Sequence, residues 1–137
     1  MPRTKELNIN VEDRPGTLGK ICEALADRGV NVLAFHATTS AGKGQVRLVV
    51  DNPATAKTVI EAQGIKCNEA EIAQVSLPNR PGELARAASQ LGGVNINIDY
   101  GYTGVDKTGN PAFFFGVTDI DRAVEILDRA AAGAARG

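Results

Sequence analysis

The chain has 137 residues, enough for one ordinary domain or two very small ones. Hydrophobic residues make up 43% of it, so a buried core can form, and its formal net charge is only -1. That charge provides no strong field for binding nucleic acid or an anionic membrane. No stretch approaches the roughly 18 apolar residues of a membrane span and no apolar leader follows Met1, so we expect a cytoplasmic protein.

Metal ligands and nucleophiles are scarce. Cys22 and Cys67 are the only cysteines and lie too far apart in sequence to resemble a metal knuckle or a redox pair. His36 is the only histidine, and no serine or cysteine stands at a recognisable nucleophile elbow. We therefore predict no metal site, no cofactor and no catalytic residue.

The first predicted elements are a strand and a helix. Leu7, Ile9 and Val11 alternate with polar residues, which is the two-residue period of a half-buried strand. The helix would begin at Pro15, where a fixed φ fits and a missing N–H loses no bond. Its apolar face is spaced at i, i+3, i+4, i+7 and i+8, and Gly29 is expected to end it.

The rest of the first half predicts a hairpin, a second helix and a last strand. β-rich residues 30–35 and 45–50 flank the glycine-containing turn 40–44. A helix follows from Pro53 to Gly64, and residues 65–69 read as a short fourth strand. The order is therefore βαββαβ.

The sequence then repeats itself. Residues 12–18 match residues 78–84 at an offset of 66, whereas residues 29–32 match residues 93–96 at an offset of 64. This predicts a second copy that is two residues shorter near the end of its first helix. It also predicts that the second copy lacks its last strand, because no branched residue follows Asp128. The two modules would span residues 1–69 and 70–137.

A βαββαβ unit with both helices on one face of an antiparallel sheet is ferredoxin-like, so the predicted class is α+β. Two such sheets side by side would cover each other's edges in a continuous sheet of about seven or eight strands. The edge left open by the missing strand predicts a homodimer.

The two Arg-Pro-Gly turns are the candidate binding sites. Each would place a helix N-terminus, with unpaired N–H groups and partial positive charge, behind a strand end, where a carboxylate is stabilised. Asn31 and Asn95 are predicted to open the second strand of each copy and to present an amide at the same place. The same residue types are also favoured in turns and at helix caps where no ligand binds, so a purely structural role of these residues remains an alternative to ligand binding.

The order of strand, (Asp/Asn)-Arg-Pro-Gly, amphipathic helix, Gly-Val-Asn and strand resembles the ACT domain, over about residues 6–69 and again over 70–128. The resemblance implies regulatory modules of amino-acid metabolism, which pair side by side and bind effector amino acids between two modules. It implies one candidate site at Asp13, Arg14, Gly16 and Asn31, and another at Asn79, Arg80, Gly82 and Asn95. Asp13 replaces an asparagine of many members and would repel an effector carboxylate, so we expect the second turn to match better.

The resemblance implies a non-catalytic regulatory protein that binds an amino acid and acts on a metabolic enzyme or on its own oligomeric state. One alternative is an assembly module of the same fold, in which the turns only cap helices and no ligand binds. A second alternative is a small enzyme of amino-acid metabolism that uses His36 or a carboxylate.

Overall fold

Six strands and four helices follow one another in the computed structural model, which describes residues 3–136. The first five elements are β1 (Arg3–Glu12), α1 (Thr17–Asp27), β2 (Val32–Ser40), β3 (Lys43–Val50) and α2 (Pro53–Glu61). The next five are β4 (Cys67–Val75), α3 (Glu83–Gly93), β5 (Ile98–Val105), β6 (Pro111–Val117) and α4 (Ile120–Arg136). Met1, Pro2 and Gly137, at the outer ends of the predicted modules, lie outside the described residues.

The chain divides into two compact units. The N-terminal unit comprises residues 5–70, and the C-terminal unit combines residues 3–4 with the chain from residue 71 onward. Each unit contains antiparallel strands and two helices, so the predicted α+β, ferredoxin-like class is confirmed. No helix within residues 3–136 is long and apolar enough to cross a membrane.

In the N-terminal unit, β3 pairs antiparallel with both β1 and β2. Leu48 of β3 lies opposite Leu7 on one side and Phe35 on the other. Side chains alternate across a strand, so one face of these strands packs against α1 and α2. The buried core cluster contains Leu7, Ile9, Ile21, Leu25, Val30, Val46, Leu48, Val50, Ala56, Val59, Ile60 and Cys67.

In the C-terminal unit, β6 pairs antiparallel with both β4 and β5. Phe115 lies opposite Ala73 of β4, and Phe114 lies opposite Tyr102 of β5. The buried core cluster contains Ala73, Val75, Leu77, Ala87, Leu91, Ile96, Phe115, Ala123, Leu127 and Ala130. The sequence periodicity predicted most of this face, because its apolar residues follow the strand and helix periods.

Two predicted strands are a single strand. Residues 67–69 of the predicted fourth strand and the strand expected to open the second copy lie together in β4, which runs without interruption from Cys67 to Val75, whereas residues 65 and 66 precede it. The described chain therefore has six strands and not the seven or eight predicted. No strand follows α4 within residues 3–136, because the alanine-rich end continues the helix to Arg136.

The start of β1 is tied to the C-terminal unit by Arg3. Its guanidinium donates to Glu71 of β4 at 2.6 Å and also pairs with Asp121 of α4. Hydrogen bonds to Asp121 and Glu71 raise the pKa of Arg3. Residues 3–4 therefore belong to the unit that lacks a strand after α4.

Candidate ligand-binding site

The turn before α1 consists of Arg14, Pro15, Gly16 and Thr17. The Thr17 N–H donates to the Arg14 carbonyl at 3.3 Å, and Gly16 has φ 91° and ψ -12°, as in the third residue of a type II turn. Glycine suits this positive φ because it has no Cβ. α1 begins only at Thr17, so the prediction that Pro15 is the first helical residue is wrong. Pro15 instead takes the second position of the turn, where its fixed φ also fits.

A cavity of about 440 Å³ lies against this turn. It is lined by the turn, the first part of α1 and the segment after α2: Arg14, Pro15, Gly16, Thr17, Lys20, Ile21, Gln63 and Ile65. Of the residues predicted for the first site, Arg14 and Gly16 line the cavity, whereas Asp13 and Asn31 do not.

One of the two positive side chains at this cavity, Lys20, has no partner within residues 3–136. The Lys20 ammonium makes no hydrogen bond or ion pair within residues 3–136, and the exposed Arg14 pairs with the exposed Glu12 at 2.9 Å. The first turn of α1 contains no acidic residue, and the N–H groups of Leu18 and Gly19 have no acceptor in the described chain. A helix N-terminus with free N–H groups favours an anion.

Main-chain hydrogen bonds hold Asp13 and Asn31 in place. The Asp13 N–H donates to the Gly42 carbonyl at 3.3 Å, which ties the end of β1 to the hairpin turn. The Asn31 N–H donates to Asp51 Oδ1 at 2.9 Å, and the Asn31 carbonyl accepts from the Asp51 N–H at 3.1 Å. These bonds hold the start of β2 against the end of β3, and the Asn31 side chain is exposed.

The turn before α3 has the same backbone and a different charge. Gly82 has φ 89° and ψ -13°, and the Glu83 N–H lies 3.4 Å from the Arg80 carbonyl. Glu83 is only 8% exposed, and its carboxylate accepts from Arg80 Nε at 2.6 Å and from Arg86 Nη2 at 3.0 Å. Hydrogen bonds from Arg80 and then Arg86 lower the pKa of Glu83. The first turn of α3 therefore contains a carboxylate of the chain itself, which pairs with two arginines and caps no N–H group of the helix.

The other residues predicted for the second site are Asn79, Arg80, Gly82 and Asn95. The first three lie on the turn, where Asn79 and Gly82 are exposed and Arg80 is held by Glu83. Asn95 lies elsewhere, at the end of α3, with φ 63° and its N–H donating to the Gly92 carbonyl at 3.0 Å. The structure therefore does not place Asn95 on the same turn as the other three.

Asn95 ends a helix, and the prediction that it opens a strand is wrong. Its counterpart is Gly29, which has φ 71° and whose N–H donates to the Ala26 carbonyl at 2.9 Å. The offset is 66, as at the turns, and α1 and α3 both have 11 residues. The predicted deletion of two residues does not exist. A left-handed residue is required here, and asparagine tolerates that conformation better than most residues do.

The true counterpart of Asn31 is Asn97. The Asn97 N–H donates to Thr118 Oγ1 at 3.1 Å, and its carbonyl accepts from the Thr118 N–H at 3.2 Å. The repeated element therefore reads Gly-Val-Asn-Val in the first unit and Asn-Ile-Asn-Ile in the second. The string Gly93-Val94-Asn95 resembles the first copy by sequence alone.

Lys20, Gln63 and Glu83 were not predicted as site residues. The sequence carries a signal for two of them, because Lys20 lies one helical turn after Gly16 and Glu83 directly follows Gly82. Gln63 carries no such signal, because its place at the cavity depends on how α2 ends beside α1.

The structure offers little to an enzyme that uses His36. His36 lies on β2 opposite Arg47, which in turn lies opposite Asn8 of β1, and His36 does not line the cavity at the first turn. The described residues contain no group of three or more His, Cys, Asp or Glu side chains placed to hold a metal ion.

Comparison with known proteins identifies the family. No curated protein matches the chain significantly in sequence. Protein BT0572 from Bacteroides thetaiotaomicron has a similar crystal structure, with 25% identity, a TM-score of 0.83, and coverage of 93% of this chain and 88% of that one. The regulatory subunit of aspartate kinase from Thermus thermophilus shares the fold, with 18% identity, a TM-score of 0.65, and coverage of 98% and 97%. The family model described as an ACT domain pair matches residues 3–131, so the chain belongs to the ACT domain pair family.

Proposed function

We propose that this ACT domain pair is a non-catalytic regulatory protein that binds an amino acid effector in the cavity at the start of α1. The observation that carries the proposal is the unneutralised positive charge there. The Lys20 ammonium has no partner in the described chain and lies beside a helix N-terminus without an acidic first turn. An effector carboxylate would accept hydrogen bonds from both, and charge-assisted bonds of this kind are among the stronger ones in proteins.

The remaining cavity wall suits the rest of an amino acid. The exposed side-chain amide of Gln63 makes no hydrogen bond in the described chain, so its oxygen is available to an effector ammonium. The exposed Pro15 and the half-buried Ile65 provide an apolar surface for a side chain. A cavity of about 440 Å³ is within the range of small-molecule sites.

The contacts favour the first turn over the second. The asparagine at position 79 gave the second turn the better match to the ACT pattern, but Glu83 already supplies an anion to Arg80 and to the start of α3. An effector carboxylate would have to displace Glu83 or share the site with it at the cost of like-charge repulsion. Thr17 holds the matching position in the N-terminal unit and carries no charge.

Regulation requires that the effector bind two states of the protein with different affinities. We expect these states to differ in association, either with a second copy of this chain or with a metabolic enzyme in the cytoplasm. Membership of the ACT domain pair family supports a regulatory role.

A thermal-shift screen over the twenty L-amino acids tests the proposal. A ligand present at a hundred times its Kd stabilises the folded state by about 2.7 kcal/mol, which is easily measured. The hit is then titrated into Lys20→Ala, and loss of one charge-assisted bond should raise Kd roughly 10- to 100-fold. Lys66→Ala is the matched control, because the Lys66 side chain is exposed, makes no hydrogen bond or ion pair in residues 3–136 and lies outside the cavity lining.

Absence of a shift with every amino acid would contradict the proposal and favour an assembly module without a ligand. An equal loss of affinity in the Lys20 and Lys66 variants would place the ligand elsewhere. Sedimentation velocity with and without the hit then shows whether binding changes the oligomeric state, which we expect to be a dimer in at least one condition.

A further inference from the structure

A second cavity, of about 510 Å³, lies in the C-terminal unit and shares no residue with the first. Its walls come from the turn between β5 and β6, the end of β4, the second half of α4 and residues 3–4. All of these segments belong to the same compact unit. The volume is within the 300–1,000 Å³ that small-molecule sites usually have.

The turn that forms one wall is held in place by Asp106. The Asp106 carboxylate accepts from the Thr108 N–H at 2.9 Å, the Thr108 hydroxyl at 2.5 Å and the Asn110 N–H at 3.0 Å. It also accepts from the Ser76 hydroxyl at 3.0 Å, which ties the turn to the segment after β4. This wall is therefore ordered before any ligand arrives, which reduces the entropy lost on binding.

Two opposite charges at this cavity have no partner in the described part of the chain. The Lys107 ammonium lies on the turn and the Asp128 carboxylate lies on α4, and neither makes an ion pair or hydrogen bond within residues 3–136. Arg3, the other positively charged residue of the lining, forms ion pairs with Glu71 and Asp121. A bound ligand could therefore meet one free positive and one free negative group.

Neutral polar groups and an apolar surface complete the lining. The Thr4 hydroxyl and the Gln74 amide also make no hydrogen bond in the described chain, although both side chains are half-buried. Val75, which is 4% exposed, and the half-buried Ala131 contribute apolar atoms to the same cavity. Such a lining combines apolar contact with a few polar groups that fix a ligand's orientation, as small-molecule sites commonly do.

We propose that this cavity is a second ligand site, which takes a small zwitterion with an apolar side chain. Lys107 pairs with the ligand carboxylate, Asp128 pairs with its ammonium, and Val75 and Ala131 contact its side chain. The proposal does not depend on the site at α1, because the two cavities have different residues and lie in different units. The first unit has no equivalent wall, because only Ala41 and Gly42 separate β2 from β3.

The probe is L-leucine, titrated into the ¹⁵N-labelled full chain and followed by amide chemical shifts. We expect saturable shifts at Lys107, Thr108, Leu127 and Asp128. Two fragments are matched controls: 4-methylpentanoate lacks the ammonium and 3-methylbutylamine lacks the carboxylate. Each should bind with a Kd at least about tenfold higher than that of leucine, since each loses one charge-assisted contact.

Lys107→Ala and Asp128→Asn should each raise the leucine Kd about tenfold, whereas Lys66→Ala and Asp27→Asn should leave it unchanged. Both control side chains are exposed and make no hydrogen bond or ion pair in residues 3–136. The proposal is overturned if leucine shifts none of the four amides, or if the fragments bind as tightly as leucine. Shifts confined to residues 16–21 would overturn it and leave the effector site at α1 supported, so the two proposals can fail separately.

Discussion

The Glu83 carboxylate accepts a 2.6 Å hydrogen bond from Arg80 Nε, so the C-terminal unit supplies its own anion to the start of α3. Arg86 donates to the same carboxylate and also to the Ala130 carbonyl of α4 at 2.8 Å. The cluster therefore links the turn, α3 and α4. The N-terminal unit has the same turn geometry with Thr17 in place of Glu83, which leaves its helix end available to a ligand.

Replacing Glu83 by threonine, the residue at the matching position 17, should give the turn before α3 the same charge as the turn before α1. We expect Glu83→Thr to lower the free energy of unfolding, because Arg80 and Arg86 lose their shared acceptor. We also expect acetate to change the NMR chemical shifts of the amides of residues 83–86 in this variant and not in the wild type. Without the Glu83 carboxylate, the N-terminus of α3 can bind an anion from solution.

Glu23→Thr is the matched control, since the Glu23 side chain is exposed on α1 and makes no hydrogen bond or ion pair in the described chain. The pH dependence gives an independent check. The lowered pKa of Glu83 means that its stabilisation is present above the ordinary value of 4.5 and is lost as pH falls through the folded-state pKa. An unfolding free energy difference between wild type and variant that grew on acidification would contradict the assignment.

Gly116 is expected not to tolerate a side chain, because the ring of Tyr100 lies directly over it. The two residues are cross-strand partners of β5 and β6, and a Cβ at position 116 would overlap the ring. Gly116→Ala should therefore cost about 1–3 kcal/mol of unfolding free energy in urea titration, as overpacking usually does.

Gly92→Ala is the control for glycine substitution itself, because a Cβ there meets nothing within 4 Å and the position is helical. It should stabilise the chain by about 0.5–1 kcal/mol. In a double-mutant cycle, Tyr100→Ala should remove most of the cost of Gly116→Ala, and strict additivity would refute the contact.

Asn95→Gly should be nearly neutral, since it places at the end of α3 the residue that ends α1. Asn95→Val should cost about 1–2 kcal/mol, because a β-branched residue resists the left-handed conformation that Asn95 adopts at φ 63°. Urea unfolding measures both. If Asn95 instead opened a strand, valine would be tolerated and glycine would destabilise, which is the opposite order.

The fold could be predicted from the sequence largely because local periods and the repeat agree. The strand alternation around Leu7, the helical spacing around Leu25 and the doubled Arg-Pro-Gly each indicated an element that the structure contains. The exact alignment of the copies could not be predicted. A left-handed helix end can be made by Gly29 or by Asn95, and sequence identity favoured the wrong pairing with Gly93.

The candidate site was only partly predictable. Arg14 and Gly16 belong to a local motif and were predicted from it. Gln63 lies 49 positions further along the sequence than Arg14 and reaches the cavity only through tertiary packing. Glu83 was missed because its role depends on two arginines that meet it only once α3 has formed. Charge at a helix start is therefore decided by contacts beyond the motif.

Acid should loosen the turn between β5 and β6 only at low pH, as the pH falls towards about 2. Hydrogen bonds, led by that of the Thr108 hydroxyl, lower the pKa of Asp106 from 3.8 to about 2. A lowered pKa means that the stabilisation is complete above the unfolded value of 3.8 and is lost as pH falls towards about 2. The Asp106 carboxyl carbon should accordingly titrate with a midpoint near 2 in NMR. The Thr108 and Asn110 amides should shift in the same pH range, because their bonds to the carboxylate weaken when it is protonated. A midpoint near 3.8 would show that these bonds do not persist in solution, and the wall that they hold for the second cavity would then be mobile.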